Sequence, residues 1–229
     1  MDPNKLPLDS RWNEFCVFCA GTPDTRDHVP SKVLLDEPFP PDLPVVQSCK
    51  ACNNSFSLDE EYLACFLECT IIGSVDPAAL ERQKVQRIMV KKPALATRIK
   101  ASQKVDEAGR LVWEPELDRV RKVVQKLAQG HAAYEYGEIQ VCEPTSIEIW
   151  PLATRSREAV SRFETPPEEH IYPEIGSRAF MRGVESNWPY MVAGWRNVQD
   201  GRYRYLVSHS KGILVRMVLG EYLACEVVW

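Results

Sequence analysis

Apolar residues along this chain keep different rhythms in different stretches, and each rhythm predicts an element. Residues 16–57 show no sustained period and are rich in Pro, Asp, Asn and Cys. Ser57 then opens the stretch SLDEEYLACFLECTII, where Leu58, Tyr62, Cys65, Phe66 and Cys69 recur at helical spacing. Ser57 and Glu60 fit a capping box, and the helix is expected to end near Gly73. A second helix is predicted from Asp76-Pro77, with Asp as N-cap and Pro in the first turn, until Pro93 interrupts it. Residues 94–113 read as a weaker helix, a turn at Ala108-Gly109 and a short strand, RLVW. A third helix, PELDRVRKVVQKLAQG, places Leu117, Val120, Val124 and Leu127 on one face and is expected to close at Gly130.

Beyond that point the period shortens. TSIEIWPL alternates as a half-buried strand does, and SREAVSRFE has the length of a short helix. From Tyr190 to Trp229 the chain reads as an antiparallel meander of three or four strands, punctuated at Asp200-Gly201, Lys211-Gly212 and Gly220-Glu221. The fold class is α+β. In RYRYLV, Arg202 and Arg204 fall on one side and Tyr203 and Tyr205 on the other, so core tyrosines and solvated arginines are expected.

A length of 229 residues and 45% apolar content allow one large domain or two small ones. No run of about 18 apolar residues is present, so no membrane span is expected. The start, MDPNKLPLDSRWNEF, is polar, reads as an irregular lead-in and lacks the pattern of a secretory signal. A cytoplasmic, reducing setting is therefore expected, and it favours metal ligation over disulfides for paired cysteines.

The eight cysteines fall into groups. Cys16-x-x-Cys19 and Cys49-x-x-Cys52 each let two thiolates grip one ion through a tight turn, and four thiolates suit tetrahedral zinc. Cys65 and Cys69 lie on the apolar helix face and read as core, while Cys142 and Cys225 read as buried small apolar residues. The 29 residues between the pairs exceed a simple zinc ribbon. They can hold a two-stranded turn carrying RDHVPSKVLL, with the second pair opening a helix at CKACNN.

Between the pairs stands a single Asp27-His28, followed by Val29-Pro30, and Asn53 leaves the second pair. Taken together, Cys16-x-x-Cys19, Asp27-His28-Val29-Pro30 and Cys49-x-x-Cys52-Asn53 resemble the HNH endonucleases of the ββα-metal superfamily, over residues 16–60. The resemblance implies a zinc-braced module in which His28 sits on the second strand of a β-hairpin and acts as general base. Imidazole suits that task because it titrates near neutrality. It also implies that Asp27 and Asn53 hold a hydrolytic Mg²⁺ or Mn²⁺, apart from the structural zinc. The family's central Asn has no counterpart here: Pro44 stands at its position, and Asp42 or a backbone carbonyl is left to steady His28. Asp59, Glu60 and Glu61 read as helix N-terminal acids.

Charge is uneven. Residues 1–75 hold 5 Lys and Arg against 12 Asp and Glu, residues 76–133 hold 13 against 7, and residues 134–229 hold 10 against 13. The expected organisation is a nuclease module (1–75), a basic helical segment (76–133) and an α+β region with a meander (134–229). Lys32 and Lys50 near the site, with Lys84, Arg87 and Lys91 on the second helix, are the candidate phosphate contacts. His131, His170 and His209 show no ligand spacing and read as structural. The expected substrate is DNA, with RNA left open, in a setting such as bacterial defence. The C-terminal region is expected to serve a homodimer or a regulatory partner. The alternative is a catalytically silent, zinc-stabilised adaptor for nucleic acid or protein.

Overall fold

The structure, a computed structural model, describes residues 14–167, 173–185, 194–209 and 212–229, the side chains of 183–185 apart. His170, Lys211 and most of the N-terminal lead-in lie outside the described residues. The chain is α+β, with helices and antiparallel sheet both present.

Strands β1 (Thr25–His28) and β2 (Val45–Ser48) pair antiparallel, with His28 opposite Val45 and Asp27 opposite Val46. Helix α1 (Lys50–Ile72) follows at once. His28 thus closes the first of the two strands, not the second. Nor does α1 begin at Ser57: it opens at the second cysteine pair, as expected for CKACNN, and runs unbroken through Ser57. Cys49 is its N-cap, with Sγ accepting from the Cys52 amide at 3.4 Å, and Asp24 Oδ1 accepts from the Lys50 amide at 2.6 Å. These two acceptors satisfy the first turn seven residues upstream of the capping-box signal. Ser57 becomes an interior residue whose hydroxyl donates to the Asn54 carbonyl at 3.0 Å. Asp59, Glu60 and Glu61 are then mid-helix and bind Arg119, Lys126 and Lys92 in turn. The apolar face holds at Tyr62, Cys65, Phe66 and Cys69, all buried, but Leu58 is exposed. Gly73 ends the helix at φ 75°.

Asp76-Pro77 opens only a 3₁₀ turn, Pro77–Ala79, and helix α2 runs from Gln83 to Lys91. The break has a cause. Buried Glu68 accepts from the amides of Glu81 and Arg82 at 2.9 and 2.8 Å, so those groups are engaged outside a helix. Helix α3 (Pro93–Ala101) leads into a hairpin, β3 (Gln103–Val105) and β4 (Leu111–Trp113), of which only the second strand was expected.

Helix α4 (Leu117–Tyr136) runs past Gly130 and ends at Gly137, φ 74°. Gly130 is a close approach rather than a cap: a Cβ there would sit 2.5 Å from Val29 Cγ2. Val120, Val124 and Leu127 are buried as expected, whereas Leu117 is exposed.

The C-terminal sheet has the order β5-β9-β8-β7-β6, all antiparallel, from β5 (Ser146–Pro151), β6 (Arg196–Gln199), β7 (Tyr203–His209), β8 (Ile213–Leu219) and β9 (Leu223–Val228). It is the expected meander with β5 added at the β9 edge. Helix α6 (Arg178–Glu185) also touches α4. Tyr203, Tyr205, Met217 and Cys225 join one core with α1 and α4. The other face buries Trp150 and Val218 against Phe163 of α5 (Arg157–Glu164), whose N-cap is Ser156. Cys142 is exposed, contrary to expectation, because the segment after α4 runs over the surface. Cys65, Cys69 and Cys225 are buried.

One contiguous core spans the cysteine module, α4 and the sheet. The boundary expected at 133/134 falls inside α4. A second tie is polar. Asp36 accepts from Arg82 Nε at 2.7 Å and from Arg202 Nε at 2.5 Å, while Gln199 brackets its backbone. Burial alone would raise the Asp36 pKa, but Arg82 and then Arg202 hold it below the usual carboxylate range.

Candidate active site and metal centre

The knuckle around Cys16 and Cys19 packs beside the β1–β2 pair, because the Val17 amide donates to the Gln47 carbonyl at 3.0 Å. Ala20 adopts a positive φ of 57° to close its turn. The ligand atoms of Cys16, Cys19, Cys49 and Cys52 all lie within 4.8 Å of one another, and Cys19 Sγ and Cys49 Sγ are 3.8 Å apart. Tetrahedral zinc with Zn–S near ~2.3 Å requires sulfurs about 3.8 Å apart. The four thiols therefore fit a metal ion such as zinc, held by both chain segments. Burial works against the Cys16 thiolate, yet backbone hydrogen bonds from Cys49, Phe18 and Cys19 bring its pKa down to about 7. Burial pushes Cys52 the other way.

Strand alternation divides Asp27 from His28. Asp27 is buried, and its Oδ2 lies 2.7 Å from Nζ of Lys126 on α4. Lys126 is itself buried and also meets Glu60 of α1 and Ser31, whose Oγ is 3.0 Å away. Ser31 in turn donates to Glu60. Phe18 and Phe56 flank the ammonium, each 5.6 Å from ring centroid to Nζ. The ammonium hydrogen-bonds to Glu60 and Ser31 and pairs by charge with Asp27, whose Oδ2 makes no hydrogen bond among the described residues, and the group ties β1, α1 and α4 together.

Asn53, on the first turn of α1, donates through Nδ2 to Thr25 Oγ1 at 3.0 Å and to the Arg26 carbonyl at 3.2 Å. The carbonyl contact fixes which end of the amide is the nitrogen. Asn53 thus fastens the helix start to β1 beside the Asp27-His28 pair.

His28 takes the opposite face and lines a cleft of about 590 Å³. Arg26, two residues back, lines it too, as the strand period requires. Lys32, Phe39, Gln47 of β2, Tyr134 of α4 and Arg178 of α6 complete its polar and aromatic lining. None of the lining residues is acidic. Arg178 lies over the Tyr134 ring at 4.0 Å. The imidazole is half-buried, and its Nδ1 is buried without a hydrogen-bond partner among the described residues. Asp42 is exposed and the Pro44 carbonyl is taken by the Val29 amide at 2.9 Å, so neither steadies the ring. Burial first, then Lys32, lowers the His28 pKa against an upward pull from Asp27.

Lys32 and Lys84 converge: Lys84 Nζ donates to the Lys32 carbonyl at 3.1 Å, and both ammoniums lie over Phe39 at 5.3 and 5.4 Å. Burial lowers the Lys84 pKa. Arg87 and Lys91 continue that face of α2 as exposed residues, outside the cleft lining. Lys50 is exposed beside the second cysteine pair.

Arg26, Lys126, Tyr134 and Arg178 were missed in the sequence. Arg26 was legible, since i and i−2 share a strand face with His28. Lys126 carried a weak signal, a lysine beside the buried Val123 and Leu127 positions. Tyr134 and Arg178 arrive only through tertiary packing. Of the remaining histidines, His131 is wholly buried, shares a 2.8 Å hydrogen bond with Tyr203 Oη and stacks on Tyr205 at 3.7 Å. His209 packs against Tyr136. Tyr203 and Tyr205 are core residues; Arg204 pairs with Glu164 and Glu221.

No family model matches the chain, and no curated protein or solved structure matches it either. Among the described residues no helix is long and apolar enough to cross a membrane.

Proposed function

We propose that the chain is an endonuclease of the HNH kind, hydrolysing phosphodiester bonds in DNA with His28 as general base. The observation that supports this reading is the face His28 occupies: a strand followed by a pairing strand and a helix, braced by four cysteines, presents one imidazole to a cleft lined by Arg26, Lys32 and Arg178. The cations would neutralise the phosphate, and a lowered pKa keeps the imidazole neutral and able to take a proton from water. Lys84, Arg87 and Lys91 would extend the phosphate track beyond the cleft. The cysteine-held metal supplies rigidity, not chemistry.

A hydrolytic Mg²⁺ or Mn²⁺ fits the present donor set poorly. Oxygen ligands suit such ions, but the Asp27 carboxylate already faces the Lys126 ammonium. An ion at Asp27 and Asn53 would have to displace it. That same pair favours a second reading, the silent nucleic-acid adaptor. A plasmid-cleavage assay with Mg²⁺, Mn²⁺ and chelator, on the parent and on His28→Ala, separates the two. The enzyme reading expects cleavage that falls by about 10²–10⁴ in His28→Ala. DNA binding without cleavage under every ion would establish the adaptor.

A further inference from the structure

We infer that the His28 cleft is a pocket for one nucleotide, free or at an unpaired strand end, and that it binds without a divalent cation. This rests on the proposed nucleic-acid function only for its biological sense; the pocket is argued from its walls. At about 590 Å³ it has the size of a small-ligand site, and a duplex would meet it only at its mouth. Its lining is one-sided in charge: Arg26 and Lys32 contribute cations, and none of the lining residues is acidic. That concentration stands within a chain of net charge −4. Cations placed so can hold a phosphate by charge-assisted hydrogen bonds, the work a divalent ion performs elsewhere. Pro40, Leu43 and Val45 form part of its wall and offer apolar surface that a base can cover, beside the Gln47 amide. Inorganic phosphate would leave that wall bare.

The test is calorimetric titration of the full chain in chelator-free and EDTA-containing buffers that leave the cysteine-bound metal in place, checked by zinc analysis. The probes are adenosine 5′-monophosphate, inorganic phosphate, a 5′-phosphorylated oligothymidylate and a blunt duplex. The expected result is binding of the mononucleotide or the single strand in EDTA, tighter than inorganic phosphate. The ratio between those two ligands tells a free nucleotide from a strand end. Arg26→Ala and Lys32→Ala, both exposed positions, should each weaken it about tenfold or more. Binding that requires Mg²⁺, that is equal for phosphate and nucleotide, or that ignores both substitutions would overturn the pocket. So would no binding of either probe. Duplex cleavage with no nucleotide binding would sink this inference and leave the nuclease standing; nucleotide binding without cleavage would do the reverse.

Discussion

Nζ of Lys126 lies 2.7 Å from Oδ2 of Asp27, so a lysine from α4 neutralises the carboxylate next to the candidate base. Both partners are buried, and Glu60 shares the ammonium. Asp27 is in this arrangement a positioning residue. It holds the strand that carries His28 against two helices.

Lys126→Met should therefore leave two carboxylates buried without a counter-ion. The expected loss is about 3–5 kcal/mol of stability. Urea unfolding checks it, and adding Glu60→Gln to Lys126→Met should recover part of the loss. An unchanged midpoint in the single variant would show that the group is not held as described.

At most helix-interior positions Gly→Ala stabilises by about 1 kcal/mol. Gly130→Ala should do the opposite, since its Cβ would meet Val29 at 2.5 Å. A loss of about 1–3 kcal/mol is expected from overpacking. Thermal melting of Gly130→Ala, and of the pair Gly130→Ala with Val29→Ala, measures it. The pair should melt above the single variant.

Cys49 both caps α1 and contributes a thiol to the four-cysteine group. Cys49→Ser should lose the bound metal and unfold the segment from Cys16 to the start of α1, because metal affinity is folding free energy in such sites. Elemental analysis of the parent should return one zinc per chain. None in protein purified without chelator would remove the structural zinc.

His131 sets a pH dependence. Burial first, and then Lys126, hold its pKa well below 6.5, so the folded chain binds fewer protons there than the unfolded chain. Its contribution is complete above about pH 6.5 and is lost as pH falls below that value, at up to about 1.4 kcal/mol per pH unit. Unfolding free energies from pH 7.5 to 5 should fall more steeply in the parent than in His131→Gln. Parallel slopes would mean that His131 does not titrate in this way.

Much of this architecture was legible because local signals and tertiary packing agree. The Cys-x-x-Cys pairs, the meander and the face of Tyr62 to Cys69 were readable from spacing alone. The misplacements share one cause. A capping box at Ser57, a Pro start at Asp76 and a Gly stop at Gly130 are local signals, and each was overridden by a partner distant in sequence: Asp24 at Lys50, Glu68 at Arg82, Val29 at Gly130. The site divides likewise. The four-cysteine group was legible from its spacing, but the partner of Asp27 lies about a hundred residues downstream, and no spacing rule reaches that far.

The shared core of the cysteine module, α4 and the sheet carries a consequence for portability. The cysteine spacing over residues 16–60 suggests a cassette to be cut out and moved between proteins. Severed after residue 75, however, that cassette would forfeit the cation facing Asp27 and Glu60, the helix surface under Val29 and the arginine that fastens Asp36. The piece that looks transplantable is finished by the parts that look foreign to it.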